Sequence, residues 1–209
     1  MSERTLRLSQ AQKEGFLTGN ALLSSGIIIA PAVAAATDFV SALALSIVFC
    51  LVTYITVAIC SFVPSKLVYT VRIILYTLFA SVVYVLVRML MLNIMPDEFL
   101  GLGIYAPLLI TNSLITSKTE TKFYRRKRSY MFALAGFYVL GYAGSIIVFG
   151  TLRSMLVSGT FLGYKILPVT FPSLTTLYGG FILLALVSAL YRGLVSYAVR
   201  KGTRNDSLS

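Results

Sequence analysis

Charged residues divide the chain into long apolar stretches of similar length. An α-helix rises about 1.5 Å per residue, so about 20 apolar residues cross the roughly 30 Å hydrocarbon layer of a membrane. With charges as delimiters, the pattern predicts six such spans and therefore an all-α polytopic membrane protein. The predicted spans are approximately 16–36, 39–62, 70–93, 99–116, 130–150 and 174–197.

The composition agrees with this pattern and excludes whole classes of protein. Of the 209 residues, 57% are apolar and 12% are charged, and the mean hydropathy is +0.86. A soluble chain carries about a quarter charged residues, so a soluble enzyme and a secreted disulfide scaffold are excluded. Histidine is absent, and Cys50 and Cys60 lie about 15 Å apart along one predicted helix. We therefore predict no catalytic residues and no metal ligands in this chain.

The basic residues are distributed unevenly between the two sides that the spans define. The chain has 18 Lys and Arg against 7 Asp and Glu, a net charge of +11. Fifteen of the basic residues fall in the two tails, the second-to-third loop and the fourth-to-fifth loop or, for Arg72 and Arg192, near the adjoining ends of the spans, whereas Arg153 and Lys165 fall on the other side. The positive-inside rule then predicts that both termini are cytoplasmic, in the inner membrane of a prokaryote. Since this rule accounts for the net charge, we expect no nucleic-acid partner.

Two further basic features have more than one interpretation. The densest run, 118–128, is either a topology determinant or a docking surface for an acidic partner or anionic lipid headgroups, and the two do not exclude each other. Arg88 lies inside the third span, near Asp97 and Glu98. Its position favours snorkelling or pairing over a gating role.

The first and fourth spans are rich in small residues and each carries a proline. Gly26 precedes Pro31 by five positions, and Gly103 precedes Pro107 by four. A proline inside a helix removes the hydrogen bond to the carbonyl four residues back, and bare carbonyls at membrane depth survive only where protein or water covers them. We therefore predict that these two helices are broken and face the protein interior or a partner.

The two broken spans open successive groups of three, which predicts a three-helix unit used twice within one membrane domain, 1–209. The first repeat covers about 16–93 and the second about 99–197, with cytoplasmic tails 1–15 and 198–209. An odd number of spans inverts the second copy, and inverted repeats with broken helices form ion and solute paths. The candidate ion-path or broken-helix residues are Gly26, Pro31, Gly103, Tyr105, Pro107, Thr111 and Asn112.

Asn112 is the most polar side chain within the fourth span. An amide inside a membrane costs several kcal/mol unless it is hydrogen-bonded. It could offer its oxygen to a passing cation, or it could tie the broken helix to a neighbour, and the sequence favours neither. Cys50 and Cys60 are interpreted as buried packing thiols.

Four segments resemble the paired six-span membrane subunits of the Rnf and Na+-translocating Nqr complexes. They are SSGIIIAPAVAAATDFVSALALSI, RIILYTLFASVVYVLVRMLM, LGIYAPLLITNSLITSKTET and GTLRSMLVSGTFLG, and they follow the family's order. The resemblance implies a subunit of a complex that couples electron transfer to movement of Na+ or H+. It also implies an oppositely oriented paralogous subunit that shares one [2Fe-2S] cluster with its partner, and further flavin-carrying and iron-sulfur subunits. With cytoplasmic termini, the chain resembles the Rnf E or Nqr D type.

The chain departs from this family at the two cluster-ligand positions. Where the family has Cys-Pro in span one, this chain has Ala30-Pro31, and where the family has Thr-Asn-Cys in span four, it has Thr111-Asn112-Ser113. Iron-sulfur clusters need thiolate ligands, so we expect a scaffold and candidate ion-path element that binds no cofactor by itself. The alternative is a stand-alone cation or small-solute transporter that uses the same broken helices.

Overall fold

The described part of the chain is almost entirely helical. A computed structural model describes residues 20, 22–23, 26, 28–64, 67–112, 114–123, 128–161, 164–165, 168 and 170–206. The α-helices are α1 (Ile29–Ala35), α2 (Phe39–Cys60), α3 (Tyr69–Ile94), α4 (Pro96–Gly101), α5 (Tyr105–Leu108), α6 (Arg128–Ser158) and α7 (Leu177–Asp206). Two 3-10 helices (Leu109–Thr111 and Pro172–Thr175) and a π-helical segment (Leu114–Phe123) join them. After α6, the short strands β1 (Thr160–Phe161) and β2 (Tyr164–Lys165) pair antiparallel.

Four of the six predicted spans are confirmed as continuous helices that are long and apolar enough to cross a membrane. They are Phe39–Cys60, Tyr69–Ile94, Tyr130–Ser158 and Leu177–Tyr197. The first and fourth predicted spans instead contain α1, with seven residues, and α5, with four. Seven residues rise only about 10 Å, so neither helix crosses a membrane alone, and the count of six spans stays a prediction.

Helices α2 and α6 pack along each other and form the centre of the fold. Asp38 begins α2 by accepting a hydrogen bond from the Ser41 amide at 3.2 Å, the usual role of an N-cap aspartate. A Cβ placed on Gly150 of α6 would lie 2.5 Å from the Cβ of Ala42, so only glycine permits this approach. Ser46 adds a hydrogen bond across the crossing, to the Ala143 carbonyl at 3.2 Å. Small residues and interhelical hydrogen bonds of this kind are what holds helices together in lipid.

Helices α3 and α7 lie outside this centre and expose their apolar side chains. In the apolar stretch of each helix, 56% is buried in α2 and in α6, against 28% in α3 and 22% in α7. Leu86 of α3 and Leu194 of α7 are examples of large apolar side chains that are mostly exposed. In a membrane protein these faces contact lipid or other subunits, because water would penalise them.

The short segments pack between the long helices. Helix α1 packs against α5 and against α7, whereas the 3-10 helix Leu109–Thr111 packs against α3. Each of the two broken regions therefore contacts the last long helix of the other half of the chain.

Candidate functional site

Both broken regions are interrupted ahead of their proline, as predicted. Ile28 has a left-handed backbone with φ 61° immediately before α1, and Gly103 has φ 52° before α5. Pro31 and Pro107 are the third residues of the new helices. In a first turn the amide has no intrahelical partner, so a proline costs nothing there. The breaks are thus made by the left-handed residues, and the prolines fit the helix starts that follow.

The two broken regions meet at a cavity of about 250 Å³. Its lining comes from the start of α1 on one side and from α5 and the 3-10 helix after it on the other. The lining residues are Ile28, Ile29, Ala30, Pro31, Leu108, Thr111 and Asn112. The structure therefore brings Pro31, Thr111 and Asn112 together, and Ala30, a ligand position only by the resemblance, is exposed beside them.

The other predicted site residues do not line this cavity. Gly103 is exposed, and Tyr105 and Pro107 are partly buried. Gly26 is exposed and lines a different groove, between the first segment and α7. Ser113, the second ligand position, lies outside the described residues, so the geometry of that position is not part of the described site.

Helix α6 and Asn20 together satisfy backbone groups of the first broken region at Leu22, Leu23 and Ile28. The hydroxyl of Tyr142, which is buried, donates to the Ile28 carbonyl at 2.8 Å. Asn20 donates to the Ser145 hydroxyl at 2.7 Å, and its own oxygen accepts from the amides of Leu22 and Leu23. Polar backbone at membrane depth is tolerated only when it is covered in this way.

Asn112 is 3% exposed, and both the nitrogen and the oxygen of its amide are hydrogen-bonded within the fold. The nitrogen donates to the Thr53 hydroxyl at 3.1 Å and to the Leu109 carbonyl at 2.7 Å. The oxygen accepts from the Ile115 amide at 3.0 Å and so caps the π-helical segment. Of the two interpretations that the sequence left open, this geometry favours the structural tie to a neighbouring helix, because the oxygen already has a donor.

Arg153 is a buried hydrogen-bond donor whose role the sequence did not predict. Helix α6 continues to Ser158, beyond the predicted end at 150, so Arg153 lies within the helix and is only 2% exposed. Its guanidinium donates to the Leu174 carbonyl at 2.9 Å, to the Thr175 carbonyl at 3.0 Å, and to the carbonyl of Val33. One side chain thereby joins the carbonyl ends of α1 and of the 3-10 helix Pro172–Thr175. Longer bonds reach the carbonyls of Ala36 and Thr176, at 3.4 and 3.3 Å.

A second charged cluster lies at the other end of the fold. Glu120, in the π-helical segment, pairs with Arg72 at 2.8 Å and accepts from the Tyr76 hydroxyl at 2.5 Å. The Arg72 and Glu120 side chains are 14% and 9% exposed. The sequence placed Glu120 in the basic run 118–128, and the contacts make it a partly buried tie between that run and α3. Residues 124–127 of the run lie outside the described residues, and the docking role suggested for the run stays a prediction.

Comparison with known proteins identifies the family to which these features belong. A family description, "Rnf-Nqr subunit, membrane protein", matches residues 8–189. The chain belongs to the Rnf-Nqr family. Curated relatives within it include the E subunits of the ion-translocating oxidoreductase complexes of Glaesserella parasuis serovar 5, 27% identical over 148 residues, and of Cronobacter sakazakii, 29% identical over 147 residues. Each alignment covers 70% of this chain and 64% of the relative, so the chain spans somewhat less than two thirds of the relatives it matches.

The donors at the cavity do not fit the [2Fe-2S] cluster implied by the Rnf-Nqr resemblance. Ala30 offers a methyl group, the Asn112 oxygen is already bonded, and the Thr111 hydroxyl donates to the Leu108 carbonyl at 3.3 Å. Cys50 and Cys60 lie in α2 and do not line this cavity. Among the residues that the structure describes, no group of three or more His, Cys, Asp or Glu could hold a metal ion. Thiolates are required for such a cluster, and the described lining supplies none.

Proposed function

We propose that this chain is a membrane subunit of an ion-translocating oxidoreductase complex, in which it acts as a scaffold and candidate ion-path element without iron-sulfur ligands of its own. The observation that carries the proposal is the family match over residues 8–189. Relatives named as the E subunit of such a complex support it. The lining of the cavity supports the absence of ligands, since it supplies no thiolate.

The architecture proposed for this role is six membrane crossings in two inverted three-helix repeats, within one domain, 1–209. Two observations support it. Each broken region begins again after a left-handed residue, Ile28 or Gly103, and each packs against the last long helix of the other half. Exchanged contacts of this kind are expected when two copies of one unit are related by an inverting axis. We further propose that both termini are cytoplasmic, in the inner membrane of a prokaryote, from the charge asymmetry of the sequence.

The proposed partners follow from the same reasoning. An oppositely oriented paralogous subunit is the first, and the exposed position of Ala30 at the edge of the cavity supports contact with it there. Flavin-carrying and iron-sulfur subunits would supply the redox chemistry that this chain lacks, and Na+ or H+ would be the transported ion. A small-residue surface is the kind through which membrane helices of two subunits associate.

Purification of the native assembly tests this proposal. The chain carrying an affinity tag would be isolated from its own membranes in mild detergent, and the co-purified proteins would be identified by mass spectrometry. We expect a paralogous membrane subunit together with flavin and iron-sulfur proteins. Isolation of the chain alone, with ion or solute uptake by the isolated chain in liposomes, would instead identify a stand-alone transporter and overturn the proposal.

A further inference from the structure

A groove of about 370 Å³ lies between the first segment and α7. Its volume falls in the range of about 300–1,000 Å³ typical of small-ligand sites. One wall is formed by Leu22, Gly26 and Ile29, and the other by α7. Small side chains on α7 leave space for the groove on this side: Ala185, Ser188 and Ala189.

The length of this groove matches one leaflet of a membrane. It extends along α7 from Phe181 to Arg192, eleven residues or about 16 Å of helix. Half of the roughly 30 Å hydrocarbon layer is about 15 Å, the depth that one acyl chain occupies. A helix of a partner subunit would need a groove about twice as long, because it crosses both leaflets.

The groove is also open at the surface and ends in a positive charge. Phe181, Ala185 and Ala189, which line it on α7, are exposed, so an acyl chain can enter it from the side. Arg192 is exposed, and its Nε donates to the Leu23 carbonyl at 3.2 Å, which fixes the guanidinium at the end of the groove. Arg192 precedes the end of the apolar span at Tyr197 by five residues, about 7.5 Å, a distance that a snorkelling arginine covers.

The sequence beyond the span has the same sign of charge. Helix α7 continues to Asp206 and carries Arg200, Lys201 and Arg204 after the apolar span. Clusters of basic residues next to a membrane attract anionic headgroups, at roughly 1 kcal/mol per residue. Charge complementarity therefore selects an anionic lipid over a neutral one.

We propose that this groove binds an anionic phospholipid, with one acyl chain lying between the first segment and α7 and the phosphate contacting Arg192. The site shares only Ile29 with the cavity of the broken helices and does not depend on the redox role proposed above. A lipid bound there would fill the space between α7 and the first segment and would hold both at one depth in the membrane.

Native mass spectrometry of the full chain, purified in detergent, tests this proposal. Phosphatidylglycerol and phosphatidylcholine with identical acyl chains would be added in equal amounts, and the bound fractions compared. We expect the wild type to retain phosphatidylglycerol at least about five-fold better, the factor that corresponds to roughly 1 kcal/mol for one basic residue. Arg192→Gln should lower this ratio about five-fold, and Ala189→Leu, which fills the groove, should reduce retention of both lipids.

Two further variants separate lipid binding from damage to the fold. Arg192→Lys keeps the charge and loses the bond to the Leu23 carbonyl, so we expect it to keep the preference for phosphatidylglycerol. Arg88→Gln removes another exposed cation from a membrane-spanning helix and should leave the ratio unchanged. Equal loss of preference in the Lys and Gln variants, an equal effect of Arg88→Gln, or unaltered lipid retention in Ala189→Leu would each overturn the proposal.

Discussion

Replacement of Arg153 by methionine should destabilise the protein strongly, even though Arg153 does not line the cavity. Methionine matches the unbranched stem of arginine but has no donors. The change removes the donor from three carbonyls bonded at 3.0 Å or less, those of Val33, Leu174 and Thr175. It also separates the end of α1 from the 3-10 helix that precedes α7.

The magnitude follows from those three carbonyls. A buried acceptor left without a donor costs about 1–3 kcal/mol. Thr175 is exposed and Leu174 is partly buried, so water can replace some of the lost bonds, and methionine avoids the desolvation of a charge. Three such acceptors would cost about 3–9 kcal/mol in total. Both effects place the net loss of stability near the lower end of that range, at about 3 kcal/mol. For a chain of this size, a loss of that order lowers the melting temperature by about 6–12 °C.

The free cysteines of α2 provide the assay. Cys60 is buried and Cys50 is half-buried, so a thiol-reactive dye should report the exposure of α2 when the detergent-solubilised protein is heated. We expect the melting temperature to decrease from wild type to Arg153→Lys to Arg153→Met. The lysine variant is intermediate because an ammonium group carries three donors at one point and cannot join two separate chain ends. Arg88→Met, at an exposed position, is the matched control and should change stability by less than about 0.5 kcal/mol. A melting temperature of Arg153→Met within about 2 °C of wild type, less than the shift worth 1 kcal/mol, would refute the reasoning.

Three further predictions concern the cofactor, the broken helix and the topology. The double variant Cys50→Ala, Cys60→Ala should leave the iron content and any [2Fe-2S] EPR signal of the intact complex unchanged, and loss of the signal in an assembled complex would mean that α2 holds the cluster. Gly103→Ala should lower stability by about 1–2 kcal/mol, because the φ of Gly103 is 52°. Pro107→Ala should leave the melting temperature nearly unchanged, because Pro107 lies in the first turn of α5. A larger loss of stability in Pro107→Ala than in Gly103→Ala would contradict our account of the break. A reporter fused after residue 125 should be cytoplasmic, since six basic residues lie in that loop, and a periplasmic signal would overturn the topology.

The positions of the long helices could be predicted because lipid imposes a simple rule on composition. Four predicted spans agree with the observed helices to within a few residues at most ends, and the exceptions are the C-terminal end of α7 and that of α6, which includes Arg153. Hydropathy ended this span at 150, ahead of Arg153, because a charge is normally excluded from a span. The guanidinium is tolerated there because carbonyls distant in sequence surround it, and a local window of residues contains no information about them.

The broken regions were predictable in kind and not in detail. Pro31 and Pro107 correctly indicated interrupted helices, but the left-handed residue before α1 is Ile28, a β-branched side chain that rarely adopts that conformation. Nothing in the sequence around Ile28 marks this, since the conformation is held by tertiary contacts such as the hydrogen bond from Tyr142. The role of Asn112 was equally undecided, because it depends on Thr53, which is 59 residues away.

The distance in sequence between α1 and the groups that cover it has a consequence for how the chain is made. Tyr142 and Arg153 bond to carbonyls at Ile28 and Val33, separations of 114 and 120 residues. At roughly 5–20 residues per second, synthesis takes about 6–24 s to reach them. During that interval the first segment has no donors from α6, and bare carbonyls are not stable in lipid. In the proposed six-span architecture the nascent segment must therefore be held by the insertion machinery, or cross the membrane as an unbroken helix, until α6 arrives and the break can form.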